Sequence, residues 1–282
     1  MVTGSERRIS ELCSSWRKEG LTVGLVPTMG ALHEGHLSLV EIAAASSDRV
    51  VVSIFINPTQ FGPGEDLEMY PRSIDDDCRA VEALGAFAVF TPDVNTVYPD
   101  DFSTEVHVAG VSQGLCGTAR PGHFDGVATI CTILFGIVKP DLAVFGMKDA
   151  QQLAVIRRMV TDLRLEIEIV AAPIVREPDG LAMSSRNKYL SAELREEASL
   201  IHGGLFAARQ LALTGEKDCS LLRKAFIDHL RKAHMLSVQY AETVDPYTML
   251  KIDKIENRVL LAVAVFAGTT RLIDNILIEP EV

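Results

Sequence analysis

The chain has 282 residues, 48% hydrophobic and 23% charged, with a formal net charge of −11 and a pI near 5.1. That apolar content excludes a disordered chain, and the length suits one large domain or two modest ones. The acidic balance argues against duplex or tRNA binding, which needs a basic face, so an anionic small ligand would depend on a local cluster of cations and dipoles.

Five cysteines (Cys13, Cys78, Cys116, Cys131 and Cys219) are scattered, odd in number and form no Cys-x-x-Cys pair. This argues against a disulfide framework and a thiolate zinc site, and for a reducing compartment. The N-terminal stretch MVTGSERRISELCSSW has no apolar core of the secretory kind. The longest apolar-leaning run, residues 127–138, contains Thr129 and Thr132 and is too short to span a bilayer. The expectation is a soluble, cytoplasmic protein with no membrane partner and no nucleic-acid partner.

In chain order, residues 5–19 predict a charged helix with Ile9, Leu12 and Trp16 on one side. A β-prone run at 21–26 is expected to end at Pro27, and a loop containing Gly30 leads through His33-Glu34-Gly35-His36 into an apolar-periodic helix. Residues 50–56 (VVVSIFI) read as a strand buried on both faces, and Asn57 to Gly64 as a long loop. A helix is expected over 73–84, with Ser73 as N-cap and Asp75, Asp76 and Asp77 offsetting its dipole. A strand follows at 86–90, then an irregular segment at 91–122 with a small strand at 105–108. Helix 124–138, strand 142–145, helix 150–163 and strand 165–170 complete an alternation that predicts a doubly wound parallel sheet.

Near residue 176 the texture changes. Helices are expected at 191–213 and 219–234, then an antiparallel meander at 237–244, 258–267 and 271–278 with a turn at Gly268-Thr269-Thr270. The fold class is thus α/β: a Rossmann-like parallel-sheet domain over 1–175 and a smaller α+β domain over 176–282 carrying an antiparallel sheet. In doubly wound sheets ligands sit at the carboxyl ends of the strands, where the polar loops of this chain begin.

Four segments carry groups suited to chemistry. His33 and His36 lie three positions apart at a helix mouth, so both rings can face one set of oxygens, and helix N-termini suit phosphates. The alternative is an incidental surface pair. Lys148, in Gly146-Met147-Lys148-Asp149 between a strand and a helix, can meet a phosphate; equally, it can be a surface lysine beside an Asp149 N-cap with Gln152 as its capping-box partner. Met183-Ser184-Ser185-Arg186-Asn187 offers two hydroxyls and a guanidinium on a mobile segment, or a polar turn capping the next helix. Arg120-Pro121-Gly122-His123-Phe124 is either a helix entry or a second basic contribution to the site, and the amides of Asn57 and Gln60 suit small-molecule recognition. Asp75 to Asp77 read as dipole compensation, with a water-mediated metal role as the minority reading.

Together these stretches resemble the pantoate–β-alanine ligase (pantothenate synthetase) family. The resemblance rests on PTMGALHEGH at 27–36, INPTQF at 56–61, YPR at 70–72, RPGHFDGV at 120–127, GMKDAQQLAVIRRM at 146–159, AMSSRNKYL at 182–190 and RLIDN at 271–275, in the family's order. The histidine pair is similar to the HIGH signature of the nucleotidyltransferase superfamily, and Met183 to Arg186 to its KMSKS loop.

The resemblance implies ATP-dependent condensation of pantoate with β-alanine through a pantoyl adenylate, releasing AMP and pyrophosphate. ATP enters as a substrate with Mg²⁺, no protein ligand to a metal is assigned, and a homodimer is implied. His36, His33 and Lys148 become the catalytic groups, with His36 as proton donor. The ATP contacts become Met29, Gly30, Ala31, Leu32, His33, Glu34, Gly35, His36, Gly146, Met147, Lys148, Asp149, Val175 through its backbone, Met183, Ser184, Ser185 and Arg186. Gln60 and Gln152 become the pantoate amides, while Asn57, Tyr70, Arg120 and His123 line the pocket. Met147 and Ala150 depart from the usual pattern, which implies altered substrate affinity with the reaction retained. The rival readings are another HxGH nucleotidylyltransferase, or a non-catalytic nucleotide-binding module that has no need of both histidines, Lys148 and Arg186.

Overall fold

The structure, a computed structural model, describes residues 1–279. Six strands, β1 (Val2–Thr3), β2 (Val23–Thr28), β3 (Arg49–Ile54), β4 (Ala86–Phe90), β5 (Leu142–Gly146) and β6 (Glu168–Ala172), form one sheet in the order β1-β4-β3-β2-β5-β6. All of its pairings are parallel. The helices between these strands are α1 (Glu6–Lys18), α2 (Glu34–Ser46), α3 (Ile74–Ala83), α4 (Val94–Val97), α5 (Leu115–Ala119), α6 (His123–Val138) and α7 (Ala150–Asp162). The later part of the chain holds α8 (Ala192–Ala198), α9 (Leu200–Leu213) and α10 (Cys219–Leu230). It ends in the antiparallel sheet β7 (Leu236–Val244), β8 (Val259–Ala267) and β9 (Thr270–Ile278). The predicted fold class, a parallel α/β sheet with a C-terminal antiparallel one, is the one observed.

The chain divides into two compact units. One comprises Met1–Ala109, Arg120–Met147 and Val155–Pro173; the other comprises Gly110–Ala119, Lys148–Ala154 and the chain from Ile174 onward. In the first, Val26, Val50, Val52, Ile54, Val89, Leu142 and Val144 pack with Leu39, Val40 and Ala43 of α2 and Cys78 and Val81 of α3. Residues of the opposite parity, such as Leu25, Val51 and Ala143, are also buried, so both faces of the sheet are covered and the strands read as apolar runs. In the second unit, α9 and α10 pack on the meander through Ile201, Leu205, Leu222 and Phe226 against Leu261, Val263, Val265 and Leu272. The β8–β9 hairpin turns at Gly268-Thr269, with Gly268 at φ +58°.

Several expectations need correcting. Strand β2 runs through Pro27 to Thr28 instead of ending at the proline. The Thr22 and Thr28 carbonyls accept from Arg49 and Phe55 on the β3 side, so Pro27 faces the β5 side, where pairing stops at Leu25 and no donor is required. The same early end of the ladder leaves the carboxyl ends of β2 and β5 unpaired with each other at the point where strand order reverses. No strand forms over 105–108: the Val106 amide donates to Thr129 Oγ1 at 2.9 Å instead of to a ladder. The helix expected over 191–213 breaks at Ser199, whose Oγ donates to the Glu196 carbonyl at 2.7 Å.

Candidate active site

In the first unit the site begins where β2 ends. Gly30 (φ +83°) and Ala31 (φ +50°) turn the chain through two successive left-handed residues. A Cβ at Gly30 would lie 3.1 Å from both Asp77 and Ile54, so glycine meets both the conformation and the space. Asp77 is the hidden support of this turn. Its carboxylate, 4% exposed, accepts from the amides of Ala31 (2.8 Å) and Leu32 (2.9 Å) and from Ser73 Oγ (3.1 Å). The three aspartates of α3 therefore differ: Asp75 and Asp76 are exposed in the first turn, while Asp77 sits on the buried face with Cys78 and Val81.

His33 is the N-cap of α2, its Nδ1 accepting from the Gly35 amide at 3.1 Å. An accepting Nδ1 places the His33 proton on Nε2. The His33 and His36 rings lie 4.1 Å apart between centroids, tilted by 37°. The Ala31, Leu32, Gly35 and His36 amides are all engaged within the protein. Met29 and Gly30 continue from β2 and exposed Glu34 opens the helix, so all eight residues of this predicted segment form one strand–turn–helix unit. Helix α2 packs on β5, and Leu39 approaches Gly146 at the end of that strand.

The loop after β3 is built on α6. Asn57, 1% exposed, donates from Nδ2 to Gln60 Oε1 (3.0 Å) and the Gly126 carbonyl (3.1 Å), and Oδ1 accepts from Thr59 Oγ1 (3.0 Å) and Tyr98 OH (2.8 Å). With four partners its carboxamide is saturated, and its local effect is to hold Gln60. Gly126 permits the approach: a Cβ there would stand 2.4 Å from the Thr59 carbonyl oxygen. Arg120 clamps the same loop, donating from Nε and Nη2 to Glu65 (2.6 Å each) and from Nη2 to the Gln60 carbonyl (3.0 Å), with Nη1 3.0 Å from His123 Nε2. His123 Nδ1 lies 2.8 Å from the Gln60 carbonyl, so it donates there and its Nε2 accepts from Arg120. Burial alone would raise the Glu65 carboxyl, but Arg120 outweighs it and holds Glu65 below the ordinary range.

In the second unit, Lys148 lies in the 3₁₀ turn that enters α7, followed by exposed Asp149. Burial pushes its ammonium down, with Arg186 adding to the effect and Asp149 and Asp274 opposing it. Lysines depressed in this way are enriched at functional sites. Gln151, which sequence reasoning misses, is 6% exposed and holds residues 111–116: Nε2 donates to the carbonyls of Val111, Gln113 and Gly114, and Oε1 accepts from the Cys116 amide. Its neighbour Gln152, the predicted pantoate amide, is half-buried.

Residues 175–183 form a tight hairpin. The Val175 carbonyl accepts from Met183 N at 3.0 Å, Arg176 pairs with Ala182, and the turn closes at Pro178-Asp179-Gly180 with Gly180 at φ +93°. Ser184 then caps the 3₁₀ turn Ser185–Tyr189 by accepting from Arg186 N, while Ser185 is buried and the Asn187 carboxamide donates to the Ala182 carbonyl. The predicted Met183 to Arg186 segment thus continues a hairpin arm into the 3₁₀ turn.

The fold and these residues define a parallel α/β ligand-binding protein with paired imidazoles at the switch point of its sheet. A pantoate–β-alanine ligase family model matches residues 2–277. Pantothenate synthetase of Caldicellulosiruptor saccharolyticus is 51% identical, with 99% of each chain covered, and that of Acetivibrio thermocellus is 52% identical over 92% of each. Among solved structures, pantothenate synthetase from Thermus thermophilus superposes with a TM-score of 0.93 at 42% identity over 99% of each chain. A pantoate–β-alanine ligase from Francisella tularensis, complexed with β,γ-ATP and β-alanine, gives a TM-score of 0.79 at 31% identity over 98% of this chain and 97% of that one. The chain belongs to the pantoate–β-alanine ligase family.

Proposed function

We propose that this protein joins pantoate to β-alanine with cleavage of ATP, through a pantoyl adenylate. The observation that carries the reading is the pair of imidazoles 4.1 Å apart at the mouth of α2, in a chain of this family. The pantoate carboxylate attacks the α-phosphorus, a carboxylate–phosphorus bond forms, and the bond from that phosphorus to the pyrophosphate oxygen breaks. The β-alanine amine then attacks the acyl carbon, giving the amide and releasing AMP. An anionic nucleophile meeting a polyphosphate is repelled, and charge grows on the leaving oxygens, so donors fixed beforehand lower the barrier without reorganising.

In this reading His36 and His33 donate to the phosphates, with His33 doing so through Nε2 because Nδ1 caps the helix. Lys148 and Arg186 supply fixed cations, with Gly146 to Asp149, Met29 to His36, Val175 and Met183 to Ser185 around the nucleotide. Gln60 and Gln152 bind pantoate, while Asn57 and His123 act by holding Gln60. Mg²⁺ accompanies ATP and spreads phosphate charge; its preference for phosphate and water oxygens suits a site where the protein supplies mainly cations. The cytoplasm suits five free cysteines, and a homodimer is the assembly we assign.

The test is pantoate-dependent ATP–pyrophosphate exchange, followed by AMP release on adding β-alanine. Exchange without pantoate, or a product retaining the AMP moiety, overturns the reading. His36→Ala is expected to lower turnover about 10²- to 10³-fold with the thermal midpoint retained.

A further inference from the structure

Strand β9 carries a carboxylate and an amide, Asp274 and Asn275, where its neighbours are Leu272, Ile273, Ile276 and Leu277. Both are buried, at 3% and 4% exposure. Successive residues of a strand point to opposite faces, so the two side chains serve different neighbours. Asp274 Oδ2 accepts from Arg176 Nη1 at 2.6 Å and Oδ1 from Arg176 Nη2 at 3.0 Å, a bidentate pair with the carboxylate almost sealed from water. Arg176 Nη1 also donates to the Gly180 carbonyl at 3.0 Å, so the ion pair fastens the first arm and the turn of the hairpin that runs into Met183 and Arg186. Asn275 Nδ2 donates to the Lys148 carbonyl at 3.0 Å, while its own amide donates to Asp274 Oδ1 at 2.7 Å.

We infer that Asp274 and Asn275 are positioning residues, one dipeptide setting the backbone of both segments that carry the cations Lys148 and Arg186. The inference rests on the proposed placing of those two cations on the triphosphate. A buried carboxylate and amide in an apolar strand cost desolvation that packing alone does not return. What they supply is geometry, because a cation displaced by an ångström loses much of its effect on a developing charge. Asp274 also bears on Lys148 directly, supporting the ammonium alongside Asp149 and against burial and Arg186.

Asn275→Ala tests the inference with least risk to folding, since it takes the bond from the Lys148 carbonyl and leaves the Arg176–Asp274 ion pair in place. The expected result is a rise of about tenfold in KM for ATP, the usual effect of one hydrogen bond, with KM for pantoate and β-alanine within about twofold. Hydrogen exchange at residues 147–150 rises in the same variant without ATP. Asp274→Asn is expected to raise exchange at residues 176–187 and to move the basic limb of kcat/KM for ATP to lower pH, because Lys148 loses a charge that keeps it protonated. Arg176→Lys should reproduce the exchange effect and leave that limb in place. Unchanged KM for ATP with unchanged exchange in Asn275→Ala overturns the inference. So does a uniform loss in all three Michaelis constants that follows the thermal midpoint. Wild-type protein lacking pantoate-dependent exchange would instead defeat the functional reading, while the hydrogen-exchange arms would still decide whether the dipeptide holds the two segments.

Discussion

The two compact units both steady a turn of the candidate site with a buried carboxylate, but at different removes. In the first, Asp77 binds two main-chain amides of the Gly30–Leu32 turn directly. In the second, Asp274 acts through Arg176, whose long side chain is 21% exposed where that of Asp274 is 2%. The direct arrangement suits a turn already pinned between a strand and a helix, where only the amides need partners. The indirect one suits a hairpin that joins no ladder of the antiparallel sheet, where a bidentate pair to β9 supplies the orientation that a ladder would have given. The Gly30–Leu32 turn thus rests on saturated main-chain amides and the 175–183 hairpin on a side-chain ion pair, which pH and substitution can reach separately.

The sharpest separation of the two comes from Lys148→Met. Turnover is expected to fall about 10²-fold or more with loss of a fixed cation. The thermal midpoint of the unliganded protein is expected to rise, because burial holds the lysine below its unfolded value. The native state then binds fewer protons than the unfolded one between those two values, so wild-type stability climbs with pH across that window and the Met variant loses the climb. Calorimetry across alkaline pH checks both signs; a lower midpoint at neutral pH would count against a penalised lysine.

Next in size is Asp77→Ala, which strands the Ala31 and Leu32 amides and is expected to cost about 2–4 kcal/mol by urea unfolding. If the direct carboxylate matters more than the indirect one, this loss exceeds that of Asp274→Asn. Gly126→Ala follows at about 1–3 kcal/mol: the helix-propensity gain of about 1 kcal/mol is outweighed by a Cβ driven onto the Thr59 carbonyl. KM for pantoate should rise with it, since Thr59 and Gln60 share that turn. The smallest effect is at Glu65. Its folded value lies below its unfolded one, so its stabilisation is present above the ordinary carboxylate range and fades as pH falls through the folded value. Wild type and Glu65→Gln should therefore differ in urea midpoint at pH 7 and converge in acid.

Much of this is legible in the residues. The alternation of apolar runs and amphipathic helices specifies the parallel sheet, and strand 86–90 and the Gly268 turn lie where periodicity puts them. The His33/His36 pair is visible because helix spacing is a local property. Asp77, by contrast, reads along the chain as one of three equivalent aspartates, since nothing there says which one faces a loop forty-five residues earlier. Arg120 reads as a pocket wall, yet its donors serve Glu65 and Gln60 of a loop some sixty residues earlier and His123 at the entry to α6. Asn57 reads as a ligand amide, although its four bonds are all internal. A polar pair in an apolar strand is the available signal for Asp274 and Asn275, but their partners cannot be named from it.

The sequence by itself determined the classes of element, the sheet type and the chemical character of the site groups, because these follow from side-chain period and local capping chemistry. Only the tertiary structure decided which polar groups are engaged inside the protein and by which partners. Hydrogen bonds across tens of residues are set by how elements pack, and one-dimensional spacing carries no record of that.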